Sequence, residues 1–382
     1  RYILKFVLFM EGNNLKRFIL GVMSFAICLI LGQAVMANAS VKVYHQRSTA
    51  LINHPSRLRM LNNSKVKYIR VPRTYTHMRR SHKENQMTAV RGKKVTFRTH
   101  FLLPYPGKGR QHWGNPQSIA MSKSGYMYIV YCPKKGRNRG RIVRFDMKRL
   151  TQLGVTKEPK LLQSVYVKHH GRYSEKQKNI QRAIKVGGLF GTGHGQSLAY
   201  NPKKHSLYMW RDNKTKSGMP MSTGGYIQHI STKTLKADRA ISFRLISHGF
   251  IHGGHSLAFD KYGNAYFWSN PGDGVNVYKG KISPHHVIFR RTDQIFRHLP
   301  GTHVQSMGYN AKRGRLYLIS DDSVASFPAS RLKGRGSLTN KSFDWSELTP
   351  KRETEGLVFD STGHGYLLTN HSPEVLVSTT VY

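Results

Sequence analysis

The chain has 382 residues, long enough to bury a sizeable core, and it contains 62 Lys and Arg residues against 18 Asp and Glu residues. No fold requires the resulting formal net charge of +44, so the excess indicates a polyanionic partner that is bound with strong salt dependence. The cysteines, Cys28 and Cys132, exclude a disulfide framework, because Cys28 falls in a predicted leader and its removal leaves one thiol. An exported protein without disulfides fits a Gram-positive surface better than an oxidising compartment.

Residues 1–39 have the pattern of a secretory signal peptide. Met10 is the expected initiator, Lys16 and Arg17 form a basic region, and residues 18–31 are an apolar run. The small residues 37–39 predict cleavage after Ala39. An uncleaved membrane anchor is the alternative, because the apolar stretch nearly reaches the length that spans a bilayer.

Residues 40–93 are basic and contain one acidic residue, Glu84. Apolar residues are sparse and follow no sustained period, so the segment predicts a basic, poorly ordered arm, or else a strand-poor wrap over the domain that follows. Such an arm acts either as an electrostatic tether to an anionic polymer or as a solvated spacer.

From about residue 94 the sequence repeats one pattern five times: an apolar phrase with a small second residue, a polar turn and a second apolar run. The last three phrases recur every 50 residues, and the earlier intervals are longer. This recurrence is typical of β-propeller blades, whereas β-sandwiches repeat short strands without such a phrase. We therefore predict an all-β fold, a five-bladed β-propeller over residues 94–382. The phrases are residues 117–121, 196–200, 255–259, 305–309 and 355–359.

The last blade shows three strands, at residues 356–359, 366–368 and 375–381. Residues 95–103 alternate in polarity and stop at Pro104, so we expect this N-terminal strand to complete the blade and close the ring, which removes exposed strand edges. In the first blade, residues 161–167 are expected to form the fourth strand. The tryptophans are expected to pack between blades: Trp113, Trp210, Trp268 and Trp345.

The loops that lead into the innermost strands of a propeller converge at one mouth of its central channel. Aligning the five loops gives two columns of polar residues two positions apart, and strand periodicity places both columns on one side. We predict a polar ring that lines a water-filled channel, or alternatively binds a ligand. Its members are Asn115, Gln117, His194, Gln196, His255, His303, Gln305, Glu353 and Glu355.

A metal site at this mouth lacks the tight ligand spacing that would support it. Its ligands would be His194, His255, His303 and Glu353. A glycosidase needs two opposed carboxylates, and we expect Glu353 and Glu355 alone at the mouth. Asp212, Asp321 and Asp322 follow second strands and are expected near the opposite face. The sequence also lacks a nucleophile elbow, a phosphate-binding glycine loop and a zinc-binding helix, so it predicts no catalytic residues, metal or cofactor.

Three short segments resemble the secreted helveticin-J-like proteins of lactobacilli. They are residues 194–198, residues 353–357 and residues 365–371. The resemblance covers about residues 94–382 and implies a large, secreted, bacteriocin-like protein, but it carries over no catalytic residue set. The basic arm and the extreme charge depart from that family.

These features predict a secreted, cell-wall-associated propeller that binds an anionic cell-wall polymer such as teichoic acid without catalysis, as a monomer. The alternative is a hydrolase or lyase acting on envelope polysaccharide. Nucleic acid is a less suitable partner, because the sequence has no recognised nucleic-acid-binding module and the compartment is unsuitable. Membrane contact is expected only through surface charge or an uncleaved leader.

Overall fold

The structure is a computed structural model in which β-strands are the predominant regular secondary structure of the described residues. The predicted leader, residues 1–39, lies outside the described residues. The described residues are 41–53, 57–78, 84–106, 111–132, 138–166, 172–212, 225–247, 256–270, 272, 274–301 and 305–382.

Five strands precede the repeats, and the last two of them pair with each other. They are β1 (Lys42–His45), β2 (Leu51–Asn53), β3 (Arg59–Leu61), β4 (Gln86–Gly92) and β5 (Thr96–Leu102).

The repeats form five antiparallel groups of strands, which we call sheets and number in chain order, and β4 and β5 join the fourth and fifth into one nine-stranded sheet. The first sheet contains β6 (Asn115–Met121), β7 (Tyr126–Cys132), β8 (Arg139–Asp146), β9 (Ile184–Val186) and β10 (Phe190–Gly191). The second contains β11 (Ala199–Asn201), β12 (Ser206–Trp210), β13 (Gly225–Ile230) and β14 (Ala237–Phe243).

The third sheet contains β15 (Ala258–Phe259), β16 (Ala265–Ser269), β17 (Asn276–Ile282) and β18 (Val287–Arg291), and β19 (Gln294–Phe296) follows it. The fourth contains β20 (Ser306–Asn310), β21 (Arg315–Ser320), β22 (Ser323–Pro328) and β23 (Asp344–Thr349). The fifth contains β24 (Thr354–Phe359), β25 (Gly365–Thr369) and β26 (Glu374–Ser378).

The connection between β8 and β9 is helical. It contains α1 (Met147–Gln152), α2 (Leu161–Ser164) and α3 (Glu175–Arg182). The predicted strand at residues 161–167 is therefore wrong, because Leu162 and Val165 are buried on one side of a short helix and β9 pairs with β8 in its place. None of the helices in the described part of the chain is long and apolar enough to cross a membrane.

The repeated phrases lie around a single small cavity. Residues from β6, β11, β15, β20 and β24, or directly beside them, line this space of about 80 Å³. The strands approach one another closely here: a Cβ added at Gly308 would lie 2.4 Å from the carbonyl oxygen of Leu357, and one at Gly356 would lie 2.9 Å from Ile119 Cγ2. This crowding explains the small residues of the phrase.

Five hydrophobic clusters fill the spaces between neighbouring sheets, and one of them joins the fifth sheet to the first. The predicted packing of the tryptophans is confirmed, since each is at least 94% buried within a cluster. Removing a buried side chain of this size costs about 3–5 kcal/mol. The tryptophans are Trp113, Trp210, Trp268 and Trp345.

The predicted N-terminal strand of the last sheet is confirmed. β5 pairs antiparallel with β26, and β4 bridges β5 to β23 of the fourth sheet. A buried ion pair reinforces this connection: the Arg352 guanidinium donates to the Glu374 carboxylate, which also accepts from Thr99 Oγ1 at 2.7 Å.

The segment predicted as a basic, poorly ordered arm, residues 40–93, differs from that prediction where the structure describes it. β1 pairs parallel with β14, β2 with β18 and β3 with β19. The alternative interpretation, a strand-poor wrap, fits these residues. An open strand edge pairs with an extended chain through backbone groups. The side chains of β1, β2 and β3 therefore gave little indication that these residues form strands.

Candidate functional site

The polar ring predicted at the channel mouth is a hydrogen-bonded network that joins four sheets. Gln117 Nε2 lies 3.4 Å from Glu355 Oε1, which also accepts from Asn370 Nδ2 at 3.2 Å. Gln196 Nε2 donates to Gln305 Oε1 at 2.5 Å. The structure therefore brings together four of the predicted ring residues.

The other predicted members have other contacts, are exposed, or lie outside the described residues. Glu353 Oε2 lies 3.2 Å from His371 Nε2. Asn115 is exposed at the start of β6. The backbone N–H of His194 donates to Asp212, and His194 is half-buried. The remaining two, His255 and His303, lie outside the described residues.

The expectation that three aspartates lie near the opposite face is wrong. Asp321 Oδ1 accepts from Gln305 Nε2 at 3.0 Å and from the backbone of Thr354 at 3.2 Å, and Asp212 Oδ1 accepts from the backbone of His194 at 3.1 Å. Asp322 Oδ1 accepts from the backbone of Arg352. An antiparallel second strand returns to the mouth where the first began, so strand direction was sufficient to place them.

Two carboxyl groups at the mouth are buried with one oxygen unsatisfied. Burial, followed by the nearby Glu353 and Asp321 carboxylates, raises the pKa of Glu355 well above its usual range. Burial also raises the pKa of Asp322 to about 7. Among the residues that the structure describes, Glu355 Oε2 and Asp322 Oδ2 have no hydrogen-bond partner. Burial and the neighbouring negative charges therefore favour the protonated form of Glu355.

The N-terminal segment covers one side of the mouth. Tyr75 Oη donates to Asp321 Oδ2 at 2.8 Å, and its ring stacks on His371 with centroids 5.2 Å apart. The backbone of Thr76 donates to the carbonyl oxygen of Lys351 at 2.7 Å. Burial and the Asp321 carboxylate raise the pKa of Tyr75. No sequence pattern indicated that this aromatic residue belongs to the mouth.

The metal alternative receives no support from the part of the chain that the structure describes. There, no group of three His, Cys, Asp or Glu side chains is arranged to hold a metal ion. Two of the four proposed ligands, His255 and His303, lie outside the described residues.

A second candidate site is a groove between the third and fourth sheets, which we call the basic groove. Its volume is about 570 Å³, within the range of typical ligand pockets. Six cationic side chains and one carboxylate, Asp293, line it. The cationic residues are Lys279, Lys281, Arg290, Arg291, Lys333 and Arg335. Sequence analysis predicted the excess of charge but not its concentration here.

No protein-family model and no curated protein matches the chain. Among solved structures, it is similar to a glucose dehydrogenase at 11% identity, with 78% of this chain and 100% of that chain covered and a TM-score of 0.37. The soluble aldose sugar dehydrogenase of Escherichia coli gives 11% identity, coverage of 72% and 98%, and a TM-score of 0.35. The periplasmic gluconolactonase of Pseudomonas aeruginosa gives 12% identity, coverage of 66% and 67%, and a TM-score of 0.35. Similarity at this level assigns no activity, and the fold is described from its strand pairing alone.

Proposed function

We propose that the protein is a secreted, cell-wall-associated, five-bladed β-propeller that binds an anionic cell-wall polymer such as teichoic acid and catalyses no reaction. The blade count is supported by the single cavity that strands of five sheets line, and by the hydrophobic cluster between the fifth and first sheets. Pairing of β5 with β26 supports closure by the N-terminal strand.

The distribution of buried charge carries the proposed binding of a polyanion. Seven carboxylates are buried within the described residues, whereas Arg352 is the one buried cation there. Negative charge is thereby withdrawn from the surface, so the surface is more basic than the composition implies. Such a surface attracts polyanions and releases their counterions on binding. The buried carboxylates are Asp212, Asp260, Asp321, Asp322, Glu347, Glu355 and Glu374.

A salt wash tests the proposal on cells that produce the protein. At about 1 M salt the screening length is about 3 Å, so a protein held by charge should leave the cell wall. Retention of most of the protein through the wash would contradict retention by charge. Purified protein should also bind teichoic acid in low salt, with a neutral polysaccharide of similar length as the control.

The second candidate function is cleavage of an envelope polysaccharide at the mouth, by a hydrolase or a lyase reaction. It is favoured by the gathering of Asp321, Glu353 and Glu355, because a carboxyl group whose pKa is raised beside other carboxylates is typical of a general acid. Glu355→Gln should then abolish the release of reducing ends from envelope polysaccharide, and Glu158→Gln, at an exposed carboxylate, is the control. Equal activity of the two variants and the unchanged protein would remove this candidate.

The resemblance to helveticin-J-like proteins adds an inhibitory activity against other bacteria to the proposal. Growth inhibition by the purified protein, with heat-treated protein as the control, tests it separately. No inhibition of any strain tested would remove the bacteriocin-like part and leave polymer binding untouched.

A further inference from the structure

The basic groove combines rigid walls with exposed charge. β17 and β18 supply Lys281 and Arg290, and the connection between β22 and β23 supplies Lys333 and Arg335 on either side of Gly334. Gly334 has a φ of +55°, which glycine adopts without strain. The Arg59 guanidinium donates to the carbonyl oxygens of Arg335 and Gly336, which fixes this connection to the N-terminal segment.

Most of the cations in the groove have no carboxylate partner. Within the described residues, Lys279, Lys281, Arg290, Lys333 and Arg335 form no ion pair. By contrast, Lys93, between β4 and β5, and Arg315 of β21 both pair with Asp344. Like charges held close together repel one another, by about 1 kcal/mol for a pair 4 Å apart in water. A bound anion would remove that repulsion.

The uncharged lining indicates which polyanion fits. Ile288, Leu332 and the backbone of Gly280 contribute small apolar surfaces, and none of the described residues that line the groove is aromatic. Proteins that bind single-stranded nucleic acid stack bases on aromatic side chains, and this groove offers no such surface. The lining therefore favours a chain that carries phosphate charge but no bases.

We propose that the basic groove binds a run of phosphodiester-linked polyol units, an inference that rests on the proposed function and locates its site. The guanidinium groups of Arg290 and Arg335 bind phosphate oxygens, since the planar fork of arginine suits bidentate contacts to phosphate. The flexible lysines neutralise neighbouring phosphates, and the polyol carbons lie against Ile288 and Leu332.

The second sheet provides a matched control. A groove of about 340 Å³ beside the third sheet is also lined by Lys204, Lys233 and Arg239. There, three Lys or Arg side chains and one carboxylate, Asp238, line the groove, against six such cations and one carboxylate in the basic groove. Removing three cations from either groove lowers the net charge by the same amount. A difference in affinity between the two variants therefore shows which groove binds the polymer.

The experiment compares the full chain with two triple variants, Arg290→Gln/Lys333→Gln/Arg335→Gln in the basic groove and Lys204→Gln/Lys233→Gln/Arg239→Gln in the control groove. The probe is purified poly(glycerol phosphate), titrated at several salt concentrations, and thermal unfolding confirms that each variant is folded. The basic-groove variant should bind on the order of tenfold more weakly, with a salt slope reduced by about 2 to 3, because each of the three lost phosphate contacts removes about 0.7–0.9 of a unit. The control variant should retain most of the affinity.

Other outcomes separate the two proposals. Equal weakening of both variants would overturn the groove as the site and leave binding by diffuse charge. Tighter binding of single-stranded DNA or of polygalacturonate than of poly(glycerol phosphate), lost in the basic-groove variant, would overturn the phosphodiester-polyol assignment. No binding of the unchanged protein to any of these polymers at low salt would overturn the proposed function itself.

Discussion

The channel mouth and the basic groove manage charge in opposite ways. At the mouth, the Gln117, Gln305 and Asn370 amides contact the Glu355 and Asp321 carboxylates inside the protein. In the groove, Lys281, Arg290, Lys333 and Arg335 are exposed and form no ion pair with the residues that the structure describes. Hydrogen bonds between buried groups stabilise the fold, whereas charges left open to solvent are available to a ligand. We therefore propose a structural role for the polar groups at the mouth and a binding role for those in the groove.

The largest expected effect concerns the buried ion pair beside the mouth. Arg352→Ala leaves the Glu374 carboxylate, which is fully buried, without its cation, and should lower the free energy of unfolding by about 3–5 kcal/mol. Urea unfolding measures this change. The control is Arg98→Ala, whose partner Glu84 lies 3.8 Å away with both side chains half exposed, and it should cost less than about 1 kcal/mol. Similar losses in the two variants would contradict a structural role for the buried pair.

A smaller effect is expected where the N-terminal segment meets the mouth. Tyr75→Phe removes the hydroxyl that donates to Asp321 and should lower the free energy of unfolding by about 1.5–3 kcal/mol, since hydrogen bonds to charged groups have this value. Tyr262→Phe, at a tyrosine that is 60% exposed, is the matched control. A loss no greater than that of the control would show that the segment does not stabilise the mouth.

The buried acid at the mouth should be visible in the pH dependence of stability. Because the pKa of Glu355 is raised, the folded protein keeps a proton that the unfolded chain loses above about pH 4.3. Glu355 therefore lowers stability progressively as pH rises from there towards its folded pKa. Glu355→Gln removes this dependence. The free energy of unfolding of the variant should therefore rise relative to that of the unchanged protein by up to about 1.4 kcal/mol for each pH unit.

Urea unfolding at several values between pH 4 and pH 7 measures this trend, with Glu158→Gln at an exposed carboxylate as the control. A gain for Glu355→Gln that falls as pH rises would contradict a buried, protonated acid at this position.

The smallest effect is expected in the groove. Removing the charges of Arg290, Lys333 and Arg335 deletes no ion pair and should change the free energy of unfolding by no more than about 0.5 kcal/mol. Thermal unfolding in low salt measures it. A loss of several kcal/mol would mean that these cations hold the fold together, which would erase the contrast between groove and mouth.

The parts of the fold that were predicted correctly depend on local side-chain pattern. The alternation of residues 95–103 and the small second residue of each phrase both indicate which positions are buried. They led to the correct position of β5 beside β26 and of the phrases around the small cavity. Residues 161–167 were misassigned because a short apolar run fits a strand or a buried helix equally well. The strands β1, β2 and β3 were missed because they add to sheet edges through backbone groups, which leave no mark on sequence.

The candidate site was predicted in part for similar reasons. The columns that contain Gln117, Gln305 and Glu355 follow from aligned repeats, which fix position along a strand. Asp321 was assigned to the opposite face through an error in strand direction, although the antiparallel repeat contained the information. The basic groove combines β17, β18 and a connection of the next sheet, and such a surface depends on how two sheets pack.

The most direct test of the account is a crystal structure of the protein with a short glycerol-phosphate oligomer. Binding in the basic groove predicts phosphate oxygens within about 3 Å of the Arg290 and Arg335 guanidinium groups, with the mouth network around Glu355 unchanged. An oligomer bound at the mouth against Asp321 and Glu355, with the basic groove unoccupied, would contradict it.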